Sequence, residues 1–165
     1  MSAPASTIIH ALALAGVPFL GFRWKDESYD PLSPAWVRAA WEAWVASLPL
    51  ELTWLAPLGG GKTERRPLWL AEVFDCDDHA RAFAAFVITA CALDAQRTGR
   101  TRAGTALGPF DYTAEPKAGN RRAGRHCAIW FVDHELSARF FEPADGNALT
   151  LSPTEILSIT EGEAA

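Results

Sequence analysis

The chain has little cysteine, no long apolar run and no surplus of positive charge, and each shortage excludes something. Three cysteines, Cys76, Cys91 and Cys127, stand in 165 residues. An odd, sparse set builds no disulfide framework and fits a reducing compartment. No run reaches the roughly 18 apolar residues that a transmembrane helix needs. The segment Ile8–Gly16 is apolar, but His10 interrupts it, no basic region precedes it and no small-residue cleavage site follows, so it reads as a first helix and not as a signal peptide. The expectation is a cytoplasmic protein without a membrane partner, with association to a virion as a variant of that location. The net charge of −5 argues against a protein devoted to nucleic acid.

What is present describes a globular chain. Hydrophobic residues make up 49% and charged residues 21%, with seven Trp and nine Phe. This length and composition predict one domain over residues 1–165, able to bury a core, with disorder confined to 1–6 and 161–165. The charge is uneven. From Arg97 to Arg125 seven bases face two acids, Asp111 and Glu115, leaving the remainder at −10.

Helix signals dominate the first half. Residues 7–15 form a helix with Ser6 or Thr7 as cap, stopped by Gly16 and Pro18, and Tyr29–Pro31 reads as a turn. Ser33-Pro34 opens a second helix, with Trp36, Ala40, Trp44 and Ser47 at helical spacing before Pro49. Leu50–Leu55 is a candidate strand. Pro57–Thr63 resembles a phosphate loop, but Ala56 stands where its first glycine belongs and no apolar helix follows, so a flexible loop is the better reading.

The strongest helix runs from Asp75 to about Gln96. Asp75 caps it, Asp78 completes a capping box, and Thr98-Gly99 ends it. In the second half the period changes. Strands are expected at Thr105–Thr113, His126–Asp133, Ser137–Glu142 and Ala148–Leu151, with a helical turn after Ser152. The run His126–Asp133 is apolar on both faces, hence central. Helices first and strands later predict an α+β fold.

Within that frame Cys76 is the residue with chemistry. It sits in the first turn of the long helix, where the positive end of the dipole and free N–H groups favour the thiolate. Cys91 lies inside the apolar stripe and Cys127 reads as a small buried hydrophobe. If His126–Asp133 and Ser137–Glu142 form a hairpin closed around residue 134, His126 falls directly across from Glu142. A carboxylate there holds one imidazole nitrogen and leaves the other for the thiol proton. His134 reads as a turn residue and His79 as a helix-surface residue.

The residues Cys76-Asp77-Asp78-x-Ala80, then Gly124-x-His126 opening a strand, then Glu142-Pro143, occur in an order that resembles the papain-like cysteine peptidase domain of the fairy-ring mushroom agglutinin and its small phage and bacterial relatives. The resemblance spans about residues 29–151. It implies a papain-like or transglutaminase-like α+β fold with the nucleophile at a long helix N-terminus, packed on an antiparallel sheet. It implies Cys76 as nucleophile, His126 as general base and Glu142 as orienting carboxylate, acting as a thiol hydrolase on peptide or amide bonds of a protein or peptide substrate. It also implies a calcium site using Asp77 and Asp78. The chain departs from the family pattern at His79, at Ile129 and at Ala144, where the resemblance implies the loss of a metal ligand. The only glutamine, Gln96, lies within the long helix, so no upstream glutamine serves an oxyanion hole.

Three other readings stay open on the sequence. The same three residues serve a transglutaminase-type acyl transfer equally well. A non-catalytic papain-like fold, as a phage structural or interaction protein, fits the departures. Nucleic-acid binding through Arg97–Arg125 is the third, against which a solvated loop explains the charges more simply.

Overall fold

The protein is described here by a computed structural model, which covers residues 2–18, 22–23, 26–70, 75–100, 103–116 and 124–163. Phe74 and four of the bases in the basic stretch, Arg102, Lys117, Arg121 and Arg122, lie outside the described residues.

The chain opens with β1 (Ala3–Pro4), α1 (Ala5–Leu14), β2 (Phe22–Arg23) and β3 (Ser28–Asp30). It continues with α2 (Pro34–Ser47), a 3-10 turn at Leu50–Leu52, β4 (Thr53–Gly59) and β5 (Lys62–Pro67). The long helix α3 (Cys76–Thr98) follows, then β6 (Gly104–Thr105), β7 (Leu107–Ala114), β8 (Gly124–Val132) and β9 (Ala138–Glu142). The chain closes with β10 (Asn147–Leu149), α4 (Pro153–Leu157) and β11 (Glu161–Glu163).

The simple order of helices first and strands afterwards is corrected by this arrangement. Strands occur from the third residue onwards and are interleaved with the helices. They form three sheets, of two, three and six strands, and two of the pairings, β3 with β6 and β11 with β2, are parallel. The physical reason is pairing at a distance. Strands of two or three residues carry no periodicity of their own and exist because a remote segment supplies their hydrogen bonds. Tyr29, read as part of a turn, pairs with Ala3 on one side and Gly104 on the other.

The six-stranded sheet, ordered β10-β9-β8-β7-β11-β2, carries the core on both faces. Ala128, Trp130 and Val132 of β8 pack with Ile8, Ala11 and Leu12 of α1 and with Phe110 and Tyr112 of β7. Cys127, Ile129 and Phe131 pack instead with Val37, Trp41 and Trp44 of α2 and Phe83 and Val87 of α3. A strand covered on both sides needs apolar residues at successive positions, which is what β8 has. Each large side chain removed from water there stabilises the fold by about 1.5–3 kcal/mol.

The helix ends follow local chemistry. Ser33 accepts a hydrogen bond from the Trp36 N–H at 3.1 Å, and Pro34 occupies the first turn of α2. Asp75 caps α3 in a reciprocal box with Asp78, and Gly99 closes that helix in the left-handed conformation at φ 65°. The first helix differs from expectation: it starts at Ala5, after Pro4, without a side-chain cap. The glycine-rich segment is no irregular loop but the turn of the β4–β5 hairpin, with Gly59, Gly60 and Gly61 all at positive φ.

Candidate thiol site

The site forms where the start of α3 meets the open end of the β8–β9 hairpin. Cys76 is the first residue of α3, directly after its Asp75 cap. It is partly buried, and among the described residues all three cysteines are free thiols. His126 lies in the third position of β8 and Glu142 in the last of β9. The imidazole Nε2 lies 2.6 Å from Glu142 Oε2, with both residues almost wholly buried, His126 at 6% and Glu142 at 1% exposure.

The hairpin register differs by two residues from the one expected. Ile129 pairs with Phe141, Trp130 with Phe140, and Val132 with Ala138. The midpoint therefore falls at residue 135, not 134, and Glu142 is offset from His126 by two positions along the ladder. The cause is the turn. Asp133 accepts hydrogen bonds from the N–H groups of Glu135 and Ser137, and Leu136 takes a positive φ of 58°. This Asx turn is two residues longer than a turn centred on His134. The diagonal offset remains within reach of long side chains on neighbouring strands, and the Glu142 carboxylate spans it.

The electrostatics of the trio favour a charged imidazole. Burial alone would lower the His126 pKa, but interactions with the Cys76 and Glu142 side chains outweigh it and push the value up to about 9. Tyr112 stands edge-on to the ring at 5.5 Å, from the facing position of β7. The other two thiols are held in the neutral form. Burial raises the Cys91 pKa, and burial together with the nearby Asp111 charge raises that of Cys127.

Cys76 and His126 open onto a cleft of about 350 Å³, also lined by Asp75, Asp77, Arg81, Asp111, Arg125 and Cys127. The cleft's basic and acidic groups are matched to one another: Arg81 pairs with Asp77, and Arg125 with Asp111 at 2.8 Å. A larger groove of about 560 Å³ lies over β9, β10 and the start of α2, and it holds none of Cys76, His126 and Glu142.

The acidic residues around the thiol are a poor chemical fit for the calcium ion that the resemblance implies. Asp75, Cys76 and Asp77 bring their ligand atoms within 4.8 Å of one another. Asp78 does not join them, because its carboxylate faces the Asp75 N–H in the capping box. Hydrogen bonding between their side chains raises the Asp75 pKa and lowers that of Asp77. A hard cation such as calcium takes six to eight oxygen ligands. Here it would meet the helix-capping carboxyl of Asp75, one carboxylate already paired with Arg81, and a soft thiol. The residues present do not fit the ion, and Ala144 contributes only a backbone N–H, which donates to Glu142 Oε1 at 3.1 Å.

One residue of the neighbourhood was misread from the sequence. His79 is not on the helix surface but fully buried, its Nε2–H donating to the Leu68 carbonyl at 3.2 Å and its ring edge-on to Trp44. Burial depresses its pKa, so it is a neutral core histidine. A signal was available: His79, Phe83 and Val87 recur at intervals of four, along the stripe that faces the sheet.

No family model and no curated protein matches the chain. Solved structures do. The chain is similar to PSL1a in its complex with E64, at 20% identity and a TM-score of 0.61, over 98% of this chain and 51% of that one. It is equally similar, at 20% identity and TM-score 0.61, to the Polyporus squamosus lectin bound to the human-type influenza-binding epitope Neu5Acα2-6Galβ1-4GlcNAc, over 98% of this chain and 49% of that one. The chain thus spans about half the length of these neighbours. The assignment to a papain-like peptidase family of the agglutinin type, and with it the papain-like or transglutaminase-like α+β class, is corrected by these matches, which are to structures of a lectin. The peptidase, amide hydrolase, transglutaminase and phage-structural readings go with it. At this identity the likeness is one of fold: a chain with its six-stranded sheet covered on both faces shares the fold of about half of each of these chains.

Proposed function

We propose that Cys76, His126 and Glu142 form a nucleophilic thiol centre that reacts covalently with an electrophilic carbon in the adjoining cleft. The observation that carries this reading is the 2.6 Å contact between His126 Nε2 and Glu142 Oε2, on an imidazole that lines one cleft with Cys76. An imidazolium beside a thiol is the arrangement that activates cysteine for attack. Glu142 occupies one ring nitrogen, so the other is the one available for the thiol proton. The helix N-terminus adds its dipole on the same side. Such a centre needs its thiol reduced, in keeping with the three free cysteines.

Iodoacetamide at pH 6, followed by mass mapping, tests the reading. The expected result is modification of Cys76 ahead of Cys91 and Cys127, lost in His126→Ala. E64, the ligand of the PSL1a complex, provides a second probe, expected on the Cys76 peptide alone. Equal sluggishness of all three thiols overturns the proposal.

A second reading, glycan binding, is supported by the sugar complex of the similar lectin. Within this chain the exposed indoles of Trp54 and Trp69 are the surfaces on which a sugar face would stack. Titration with the same sialylated trisaccharide, followed by tryptophan fluorescence, tests it. An unchanged spectrum at millimolar glycan sinks it.

A further inference from the structure

The turn that follows β9 carries Glu142, and it is not held by the sheet alone. Trp41, on α2, donates its indole N–H to the Pro143 carbonyl at 2.7 Å. The indole is 1% exposed, so this bond is shielded from water. Arg38, one helical turn earlier, donates to the Gly146 carbonyl at 2.5 Å and lies 4.4 Å above the Trp41 ring. Gly146 has a φ of 71°, and a Cβ there would meet Trp41 and Arg38 atoms at 2.6–2.7 Å. Within the turn the Ala144 N–H donates to Glu142 Oε1, and the Gly146 N–H to the Glu142 carbonyl at 2.8 Å. The two ends of the 142–146 turn are thus fixed from a helix more than a hundred positions away in sequence.

We infer that Trp41 is a positioning residue for the thiol centre: by holding Pro143 it aims the Glu142 carboxylate at His126. This rests on the proposed thiol chemistry for its functional meaning, but its geometry stands apart from it. The need for such a clamp follows from the register. Because Glu142 is offset along the ladder from His126, strand pairing alone does not fix the carboxylate against the ring. A diagonal contact across a strand end requires that the residues after the strand be held, and the indole of Trp41 and guanidinium of Arg38 do this. A buried carboxylate with one oxygen on a backbone N–H and the other on an imidazole is sensitive to small displacement, since hydrogen bonds weaken steeply with angle.

The test is an NMR titration of the His126 imidazole in the full chain. The groups around the ring are Cys76 and His79 from α3, Glu142 from β9 and Tyr112 from β7. Glu142→Gln serves as reference for loss of the carboxylate. Trp41→Phe keeps the aromatic packing and removes the N–H donor. The expected result is a fall of the His126 midpoint by about one pH unit, a tenfold change in its protonation equilibrium, in a protein that melts cooperatively. An unchanged midpoint in folded Trp41→Phe overturns the inference. Should that variant fail to fold, Arg38→Gln on the half-exposed face of α2 decides: a shift in the same direction supports the clamp, and a midpoint equal to that of the unaltered protein overturns it. The thiol reading fails separately, by loss of selective Cys76 alkylation while the midpoint still responds to Trp41.

Discussion

His126 and Glu142 meet at 2.6 Å although they are not cross-strand partners. The contact is diagonal, made by a long carboxylate side chain across two steps of the β8–β9 ladder. It depends on side-chain length, and shortening the acid by one methylene withdraws it.

Glu142→Asp is therefore expected to behave like Glu142→Gln and not like the unaltered protein. Both variants should slow alkylation of Cys76 at pH 6 by about tenfold or more, since each loses a hydrogen bond to a charged group worth about 1.5–3 kcal/mol. Second-order rates with iodoacetamide check this. A Glu142→Asp rate equal to that of the unaltered chain contradicts the diagonal geometry.

The raised His126 pKa has a consequence for stability against pH. In the unfolded chain the imidazole returns to an ordinary value near about 6.5, whereas in the fold it is about 9. The folded state binds the proton more tightly, so the stabilisation is complete below about pH 6.5 and is lost as pH rises through 9. Urea midpoints measured from pH 6 to pH 10 should fall across that window, and the fall should be reduced in His126→Gln.

Asp75 serves the helix as much as the cleft. Asp75→Ala removes one half of the capping box of α3 and should cost about 1 kcal/mol, within a range of about 0.5–2 kcal/mol. Chemical denaturation measures it. Asp78→Ala, which breaks the other half of the same box, should destabilise in the same direction.

Phe83 joins α3 to the sheet through tilted ring contacts with Trp44 and Phe141, each at 5.5 Å between centroids. It is fully buried. Phe83→Ala should destabilise by about 3–5 kcal/mol, and because the cavity lies beneath α3 it should also loosen Cys76. Denaturant unfolding with parallel alkylation checks both.

Calcium should leave the protein unaltered. Melting curves in excess calcium and in chelator are expected to coincide, because Asp77 is engaged by Arg81 and Asp78 by the Asp75 backbone. A calcium-dependent rise in melting temperature would reinstate the acidic cluster as a metal site.

Legibility in the sequence followed the range of the interactions. The start of α3 was readable because Asp75 and Asp78 act on backbone groups within three residues of themselves. The centrality of β8 was readable because a doubly covered strand must be apolar at successive positions. The proximity of His126 to Glu142 was foreseen for a register that does not occur; the length of the glutamate side chain makes good the difference. What could not be read was set by distant partners. The two- and three-residue strands at both ends of the chain have no pattern to detect, and nothing near Trp41 in sequence announces a bond to Pro143. His79 was missed for another reason, since a histidine next to two aspartates looks solvated until the four-residue spacing to Phe83 is counted.

The hairpin of β4 and β5 ends in three consecutive glycines whose added Cβ atoms would meet nothing within 4 Å. Neither core cluster draws a residue from this tip. It is consequently the place to splice in foreign sequence: an affinity peptide or fluorescent label at Gly60 should leave the thiol chemistry untouched, giving a handle for immobilising the protein during the alkylation and titration experiments.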